Sequence, residues 1–464
     1  MPRITLLAAC LVSSLACGAP SAPAAPLQPQ AEALQLARQA MALRSVSGPG
    51  NQTPQVAALF GAALAAHGFR PQDITITPVD DTAYLVARWP GSDATLKPLV
   101  ISGHMDVVAA RREDWQRDPF APVVENGFLH GRGATDMKLS DAMVIAALGA
   151  LRHEGFRPRR DIILAFSGDE ETAMKTGALL AGQLAHAELV LNVDGASGAL
   201  DERTGKPAYF AWEGAEKTYA DYRLTVTNPG GHSSAPRTVN AIDQLATALL
   251  RIQAHHFTPQ INALTRSYLT HAAHWQRPAV AQAMLAFAKD PTDAAASAVL
   301  RAEPELVGTI GTTCVVTMIS GGHAQNALPQ RAQANVNCRI FPGHSRKAIL
   351  DELAAVVADP AVRIEDVTEG SVATAASPMR ADVVEALEHA VHAVYPGLPV
   401  FAAMSSGASD SMWFRQRGVP SYGMGPLFIK ASEDFSHGLD ERSPTASIAP
   451  GITILMHVVQ ALSR

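Results

Sequence analysis

Five short stretches of this chain set a histidine or an acid among small residues. They are Gly103-His104-Met105-Asp106, Gly131-Arg132-Gly133-Ala134-Thr135-Asp136, Ser167-Gly168-Asp169-Glu170-Glu171, Asn192-Val193-Asp194-Gly195 and Ser436-His437-Gly438. Imidazole nitrogen and carboxylate oxygen both bind zinc and related divalent ions. Two such ions sharing a water make hydroxide available near neutral pH and clamp both sides of a reacting carbonyl. Each stretch alone has a plainer reading: a hydrogen-bonded His–Asp pair, a turn Asp capping a helix, a solvated acidic loop. All five at successive strand ends point instead to one two-metal centre. Three carboxylates, Asp136, Glu171 and Asp194, at about 4 Å would repel by several kcal/mol per pair. Two divalent ions and a bridging hydroxide neutralise them. Glu170, one residue from a ligand, is then the base for the bridging water. Asp106, two residues past His104 on an extended segment, points the same way and can orient the imidazole ring.

The elements around these stretches alternate. Gln30–Leu43, Thr53–His67 and Ser140–His153 read as helices, and the apolar runs Leu99–Ser102, Asp161–Phe166 and Leu189–Val193 as buried strands. Strand–helix–strand order predicts an α/β fold with a mainly parallel sheet, whose strand ends gather the ligands. From about Lys217 the pattern changes. Tyr219–Thr227 alternates as a half-exposed antiparallel strand does. A helix over Asn240–Gln253, an irregular Ala-rich region to about Ala302, strands Thr312–Ile319 and Gln333–Phe341, helix Ser345–Ala358 and strand Val362–Val367 follow. The first pattern returns near Met379. The expected organisation is a catalytic domain in two parts, residues 26–216 and 373–464, interrupted by an inserted α+β lid or dimerisation domain, residues 217–372.

At 464 residues with 47% hydrophobic content the chain has material for two soluble domains. Its net charge of −6 offers no basic footprint for nucleic acid. Arg3, the apolar run Ile4–Leu15 and the small-residue stretch to about Ala25 read as an export signal, too short to span a membrane. The expected location is periplasmic or secreted, and Leu7-Ala8-Ala9-Cys10 or Leu15-Ala16-Cys17 also allows a lipid anchor. Of four cysteines, Cys314 and Cys338 remain after cleavage. They fall on neighbouring strand-like runs and can be either a disulfide or two small buried hydrophobes.

These motifs, in this order over nearly the whole mature chain, resemble the M20 metallopeptidases, the aminoacylase, carboxypeptidase and dipeptidase superfamily. Gly103 to Val108, Gly131 to Lys138 and Asp169-Glu170-Glu171 carry the resemblance most specifically. It implies a zinc-exopeptidase-like catalytic domain in which Asp136 bridges two metals, His104 and Asp194 hold one, and Glu171 and His437 hold the other. Asp106 and Glu170 keep the roles given above. His232, in Gly230-Gly231-His232-Ser233-Ser234, resembles the lid histidine that in dimeric relatives reaches the neighbouring subunit's site and polarises the substrate carbonyl. Asn326 and Arg339 resemble contacts to the substrate carboxylate, and Gly407 lies in a loop resembling one that lines the same pocket. Asp194, where some members carry Glu, resembles the dipeptidase, aminopeptidase and vacuolar-type carboxypeptidase branches.

The function expected is an exported exopeptidase that hydrolyses an amide bond beside a free terminus of a small peptide. It would use two divalent ions, zinc first, with cobalt or manganese as alternatives. An amidase of N-acyl amino acids shares the same chemistry. A non-catalytic binding protein on the same fold would not need Glu170. No transmembrane segment is expected, and a homodimer through the inserted domain is possible only if the long segment Ile252–Gly308 leaves that surface free.

Overall fold

Leu99–His104 and Ile162–Ser167 are buried at every position, as strands covered on both faces must be. With Leu189–Asn192 and Ser421–Gly423 they form four adjacent parallel strands at the centre of a ten-stranded, mainly parallel sheet. Antiparallel Thr82–Trp89 and Ile74–Val79 extend one side. Pro207–Glu216, Gly198–Leu200, Phe428–Ile429 and Val400–Ser405 complete the other. This is the α/β sheet the alternation predicts. The computed structural model describes residues 28–464; the segment read above as an export signal, with Cys10 and Cys17, lies outside the described residues.

Helices Pro29–Met41, Thr53–Ala66, Lys138–His153, Ala381–Val394 and Ile448–Leu462 contribute to the main core. The last of these, with its preceding turn, is long and apolar enough to cross a membrane. Its residues Ile452, Leu455, Val458 and Val459 are buried in that core, which accounts for their apolarity.

A second sheet of four antiparallel strands runs in the order Thr313–Gly321, Arg331–Ile340, Thr218–Thr227, Val362–Asp366. Helices Ala241–Ala254 and Arg346–Val357, capped by Asn240 and Ser345, bury one face of it around Tyr222, Leu224, Val336 and Leu353. Along Arg331–Ile340 the period of two puts Ala332, Ala334, Val336, Cys338 and Ile340 under the helices. Gln333, Asn335, Asn337 and Arg339 therefore occupy the opposite face. Cys314 and Cys338 are directly opposed across two strands and joined as a disulfide.

The Ala-rich region read as irregular is helical: Ala263–Ala272, Pro278–Lys289 and Ala294–Arg301. These helices share a core with Ala211, Phe401 and Ala403 of the main sheet. The inserted residues thus divide in space, and this segment braces the catalytic domain rather than enlarging the four-stranded unit.

Candidate metal centre

Each ligand candidate is held at the end of a buried strand or by a loop pinned from behind. His104 ends its strand and is 1% exposed. Its Nε2 lies 2.9 Å from Asp136 Oδ1 and 3.9 Å from Asp194 Oδ2. The other oxygen of Asp136 lies 3.1 Å from His437 Nε2, and that nitrogen is 2.9 Å from Glu171 Oε2. One carboxylate therefore faces two imidazoles, with Asp194 on one side and Glu171 on the other. This is the grouping the resemblance implies for a bridged pair of ions.

The His104 ring is set by Asp106 chiefly through the backbone: Nδ1 is 3.1 Å from the Asp106 carbonyl oxygen and 3.5 Å from its carboxylate. The Asp106 carboxylate accepts the amides of Glu170 at 3.1 Å and Glu171 at 3.0 Å. Asp194 is fixed from the sheet, its amide donating to Asn192 Oδ1 at 3.1 Å. Asn192 Nδ2 donates in turn to Ser409 and Ser411, and Ser409 to Glu216.

Sequence reasoning missed the most heavily used carboxylate. Glu441 is fully buried; one oxygen accepts the amides of Thr135 at 2.7 Å and Asp136 at 3.0 Å. The other accepts Arg132 Nη1 at 2.6 Å and the Gly133 amide at 3.2 Å. Gly133 at φ +88° permits the turn that aims these donors inward. Arg132 also donates to the Gly438 carbonyl, tying the Asp136 loop to the His437 loop. The local signal was the arginine between Gly131 and Gly133.

The electrostatics are those of an acid cluster short of cations. Burial pushes the Glu170 carboxyl well above its ordinary range, and pushes Asp194 up to about 7 against the pull of His104. Burial would raise Asp136 too, but hydrogen bonds from His104 and His437 hold it well below the usual carboxylate range. Hydrogen bonds to Asp136 and Glu171 raise His437 to about 10. Ligand atoms of His104, Asp136 and Glu171 lie within 4.8 Å of one another, as do those of His104, Glu170 and Asp194. Glu171 Oε1 is buried without a hydrogen-bond partner. Two imidazoles, three carboxylates and an orphaned buried oxygen fit a pair of divalent ions.

A cavity of about 570 Å³ joins this cluster to the exposed face of the four-stranded sheet; Glu170, Glu171 and His437 line it together with Tyr219, Asp221, Asn335 and Arg339. Arg339 stacks over the Tyr219 ring at 4.9 Å, which holds its guanidinium in the cavity. Ala408, next to Gly407, lines it as well. His232 and Asn326 are elsewhere. His232 lies on a two-stranded ribbon, Gly231–His232 against Ala327–Leu328, Asn326 in the turn just before that second strand; both are exposed and neither lines the cavity.

The profile of peptidase family M20/M25/M40 matches residues 100–461. A probable carboxypeptidase S-like protein of Dictyostelium discoideum is 26% identical over 386 residues, covering 81% of this chain and 74% of its own. The human N-fatty-acyl-amino acid synthase/hydrolase PM20D1 is 28% identical over 383 residues, covering 80% and 75%. Among solved structures, the M20 metallo-carboxypeptidase Sso-CP2 of Sulfolobus solfataricus superposes with a TM-score of 0.71 at 18% identity, covering 92% of this chain and 98% of that one. Human carnosine dipeptidase 1 gives 0.65 at 15%, covering 94% and 97%. With the profile matched over most of its length and the same fold, the chain belongs to peptidase family M20/M25/M40 and is a metallohydrolase.

Proposed function

We propose that the chain is an exported exopeptidase that uses two divalent ions, zinc first, to release an amino acid with a free carboxylate from a small peptide. The observation that carries this is Arg339 in the same cavity as Glu170. A guanidinium suits a carboxylate because it donates two parallel hydrogen bonds. His104 and Asp194 would hold one ion, Glu171 and His437 the other, and Asp136 both. Bound there, the ions supply Lewis acidity that polarises the scissile carbonyl and makes water acidic enough to attack near neutral pH.

The chain's own groups do the rest. Glu170, its amide anchored on Asp106, takes the proton of the attacking water and passes it to the leaving nitrogen. Arg339 fixes the end of the substrate that departs. His232, exposed on its ribbon, serves the site of a second copy by donating to the oxyanion. The unpaired edge strand Thr313–Gly321, with Val315, Met318 and Ile319 exposed, supports a homodimer through this unit. The apolar run Ile4–Leu15 and the Cys314–Cys338 disulfide support export to a periplasmic or extracellular location.

A second reading, hydrolysis of N-acyl amino acids, is favoured by relatives such as PM20D1. Both readings share Arg339, so the test is a panel of dipeptides and acyl-amino acids, each with its C-terminal amide counterpart, on metal-loaded protein. Arg339→Ala should raise KM for the free acids by at least about tenfold, the scale of a charge-assisted hydrogen bond, and leave amides little changed. Equal loss on both would remove Arg339 from carboxylate recognition.

A further inference from the structure

A second cavity, of about 290 Å³, adjoins the same cluster and is lined by Glu213, Glu305, Asp434, Tyr209, Tyr268 and Met404 among others. Three of its walls continue directly from the site. Ala196 and Ser197 follow Asp194, Ser405 and Ser406 precede Gly407, and Asp434 lies three residues before His437. Strand register fixes its depth. Gly423 pairs with Asn192 on one side and Glu213 on the other, so Glu213 stands level with the strand end that presents Asp194. The carboxylate packs on that glycine, where a Cβ would come within 2.9 Å of Glu213 Oε2.

Glu213 lies level with the metal cluster, and Glu305 and Asp434 are exposed residues. Among the described residues no Lys, Arg or His lines this cavity to offset its acids, and burial pushes the Glu213 carboxyl up to about 8, so a bound cation favours its ionised form. Its aromatic wall is rigid, with Tyr209 packed 5.0 Å from Phe401 and 4.9 Å from Trp275 between ring centroids. Aromatic rings beside carboxylates suit an ammonium group, by cation–π attraction and charge-assisted hydrogen bonding together. The cavity with Arg339 carries the guanidinium that suits the opposite end of a substrate.

We infer that this second cavity binds an ammonium group on the acyl side of the scissile bond, and so selects peptides over uncharged acyl-amino acids. The inference rests on the proposed hydrolase reading for its position relative to the scissile bond. The ammonium can come from a free N-terminus or from a basic side chain. Four matched compounds separate the sources: lysyl-leucine, norleucyl-leucine, Nα-acetyl-lysyl-leucine and N-hexanoyl-leucine. The better of the two singly charged amines should exceed N-hexanoyl-leucine in kcat/KM by at least about tenfold, the scale of one charge-assisted hydrogen bond. Glu213→Gln should bring that ratio close to one at wild-type metal content.

N-hexanoyl-leucine turned over as well as the amines by wild-type protein would overturn the inference, as would a ratio unmoved in Glu213→Gln. If that variant does not fold, Glu305→Gln reads the same ratio from the rim, and the wild-type order decides alone. Calorimetric binding of L-lysinamide, which needs no turnover, separates the two readings. Hydrolysis of none of the four sinks the proposed function. Lysinamide affinity that falls about tenfold in the variant still supports the cavity, and unchanged affinity overturns it.

Discussion

Glu441→Gln tests how the Asp136 loop is held. In the native arrangement each carboxylate oxygen accepts two donors: Thr135 and Asp136 amides on one, Arg132 and the Gly133 amide on the other. Glutamine has the same shape but replaces one oxygen with an NH₂ group. Whichever way the amide turns, that NH₂ faces two donors, so two hydrogen bonds are lost. Hydrogen bonds to a charged group contribute about 1.5–3 kcal/mol each, so the loss is roughly 3–6 kcal/mol. Removing the counter-ion of buried Arg132, whose side chain is 3% exposed, gives about 3–5 kcal/mol by an independent route. The two figures describe the same contacts and are not summed.

The expected result is a stability loss of about 3–5 kcal/mol, read in chelator so that metal affinity does not enter. At about 1 °C per kcal/mol for a chain of this length, that is a fall in melting temperature of roughly 3–5 °C. Metal affinity should drop by about 10–100-fold, the usual effect of disturbing a group that orients a ligand. The double variant Arg132→Met, Glu441→Gln should cost much less in total than the sum of the two single changes, because they share one network. A loss below about 1 kcal/mol with normal metal retention would refute the assignment, and so would additive effects.

Three further outcomes follow from the site. Glu170→Gln should keep the metal content and lower turnover by at least about two orders of magnitude, the scale of a lost general base; near-normal turnover would end that role. Chelation should abolish activity and lower the melting temperature, since Asp136, Glu171 and Asp194 are left facing one another; elemental analysis should find close to two divalent ions per chain, and a fully active metal-free preparation would refute the metal dependence. His232→Ala should lower turnover at constant metal content, and mixing it with Glu170→Gln should regenerate activity after subunit exchange; no recovery despite demonstrated exchange would remove His232 from the partner's site.

What the sequence made legible was local. His104, Glu170, Glu171 and Asp194 follow apolar runs that can only be buried strands, so their place at one end of the sheet follows from the period and the loops. The polar face carrying Arg339 follows from alternation along Gln333–Phe341. The helices after Ala263 were missed in the Ala-rich stretch read as irregular; Pro278 and Pro304 each occupy the first turn of a helix, where proline is tolerated. Ile74–Val79 was hidden by Pro78, tolerable because this is the last strand of the sheet on that side. The disulfide could not be told from two buried thiols until the register placed Cys314 opposite Cys338.

Glu441 was illegible for a different reason, and it shows how the centre is built. Asp106 accepts the amides of Glu170 and Glu171; Glu441 accepts the amides of Thr135 and Asp136. Two carboxylates outside the ligand set thus orient the two loops that present the acids, each by fixing backbone rather than side chain. Asp106 is 64 residues from Glu170, and Glu441 is 305 residues from Asp136. Nothing in either loop's own sequence names its partner, since any backbone amide would serve as donor. Gly131 and Gly133 hold positive φ in this turn, and a Cβ there would press on Met41 and Pro119 or on Lys138 and Val107. A loop fixed by four donors to one buried carboxylate keeps its shape before any cation arrives, so ion binding need not also order the chain.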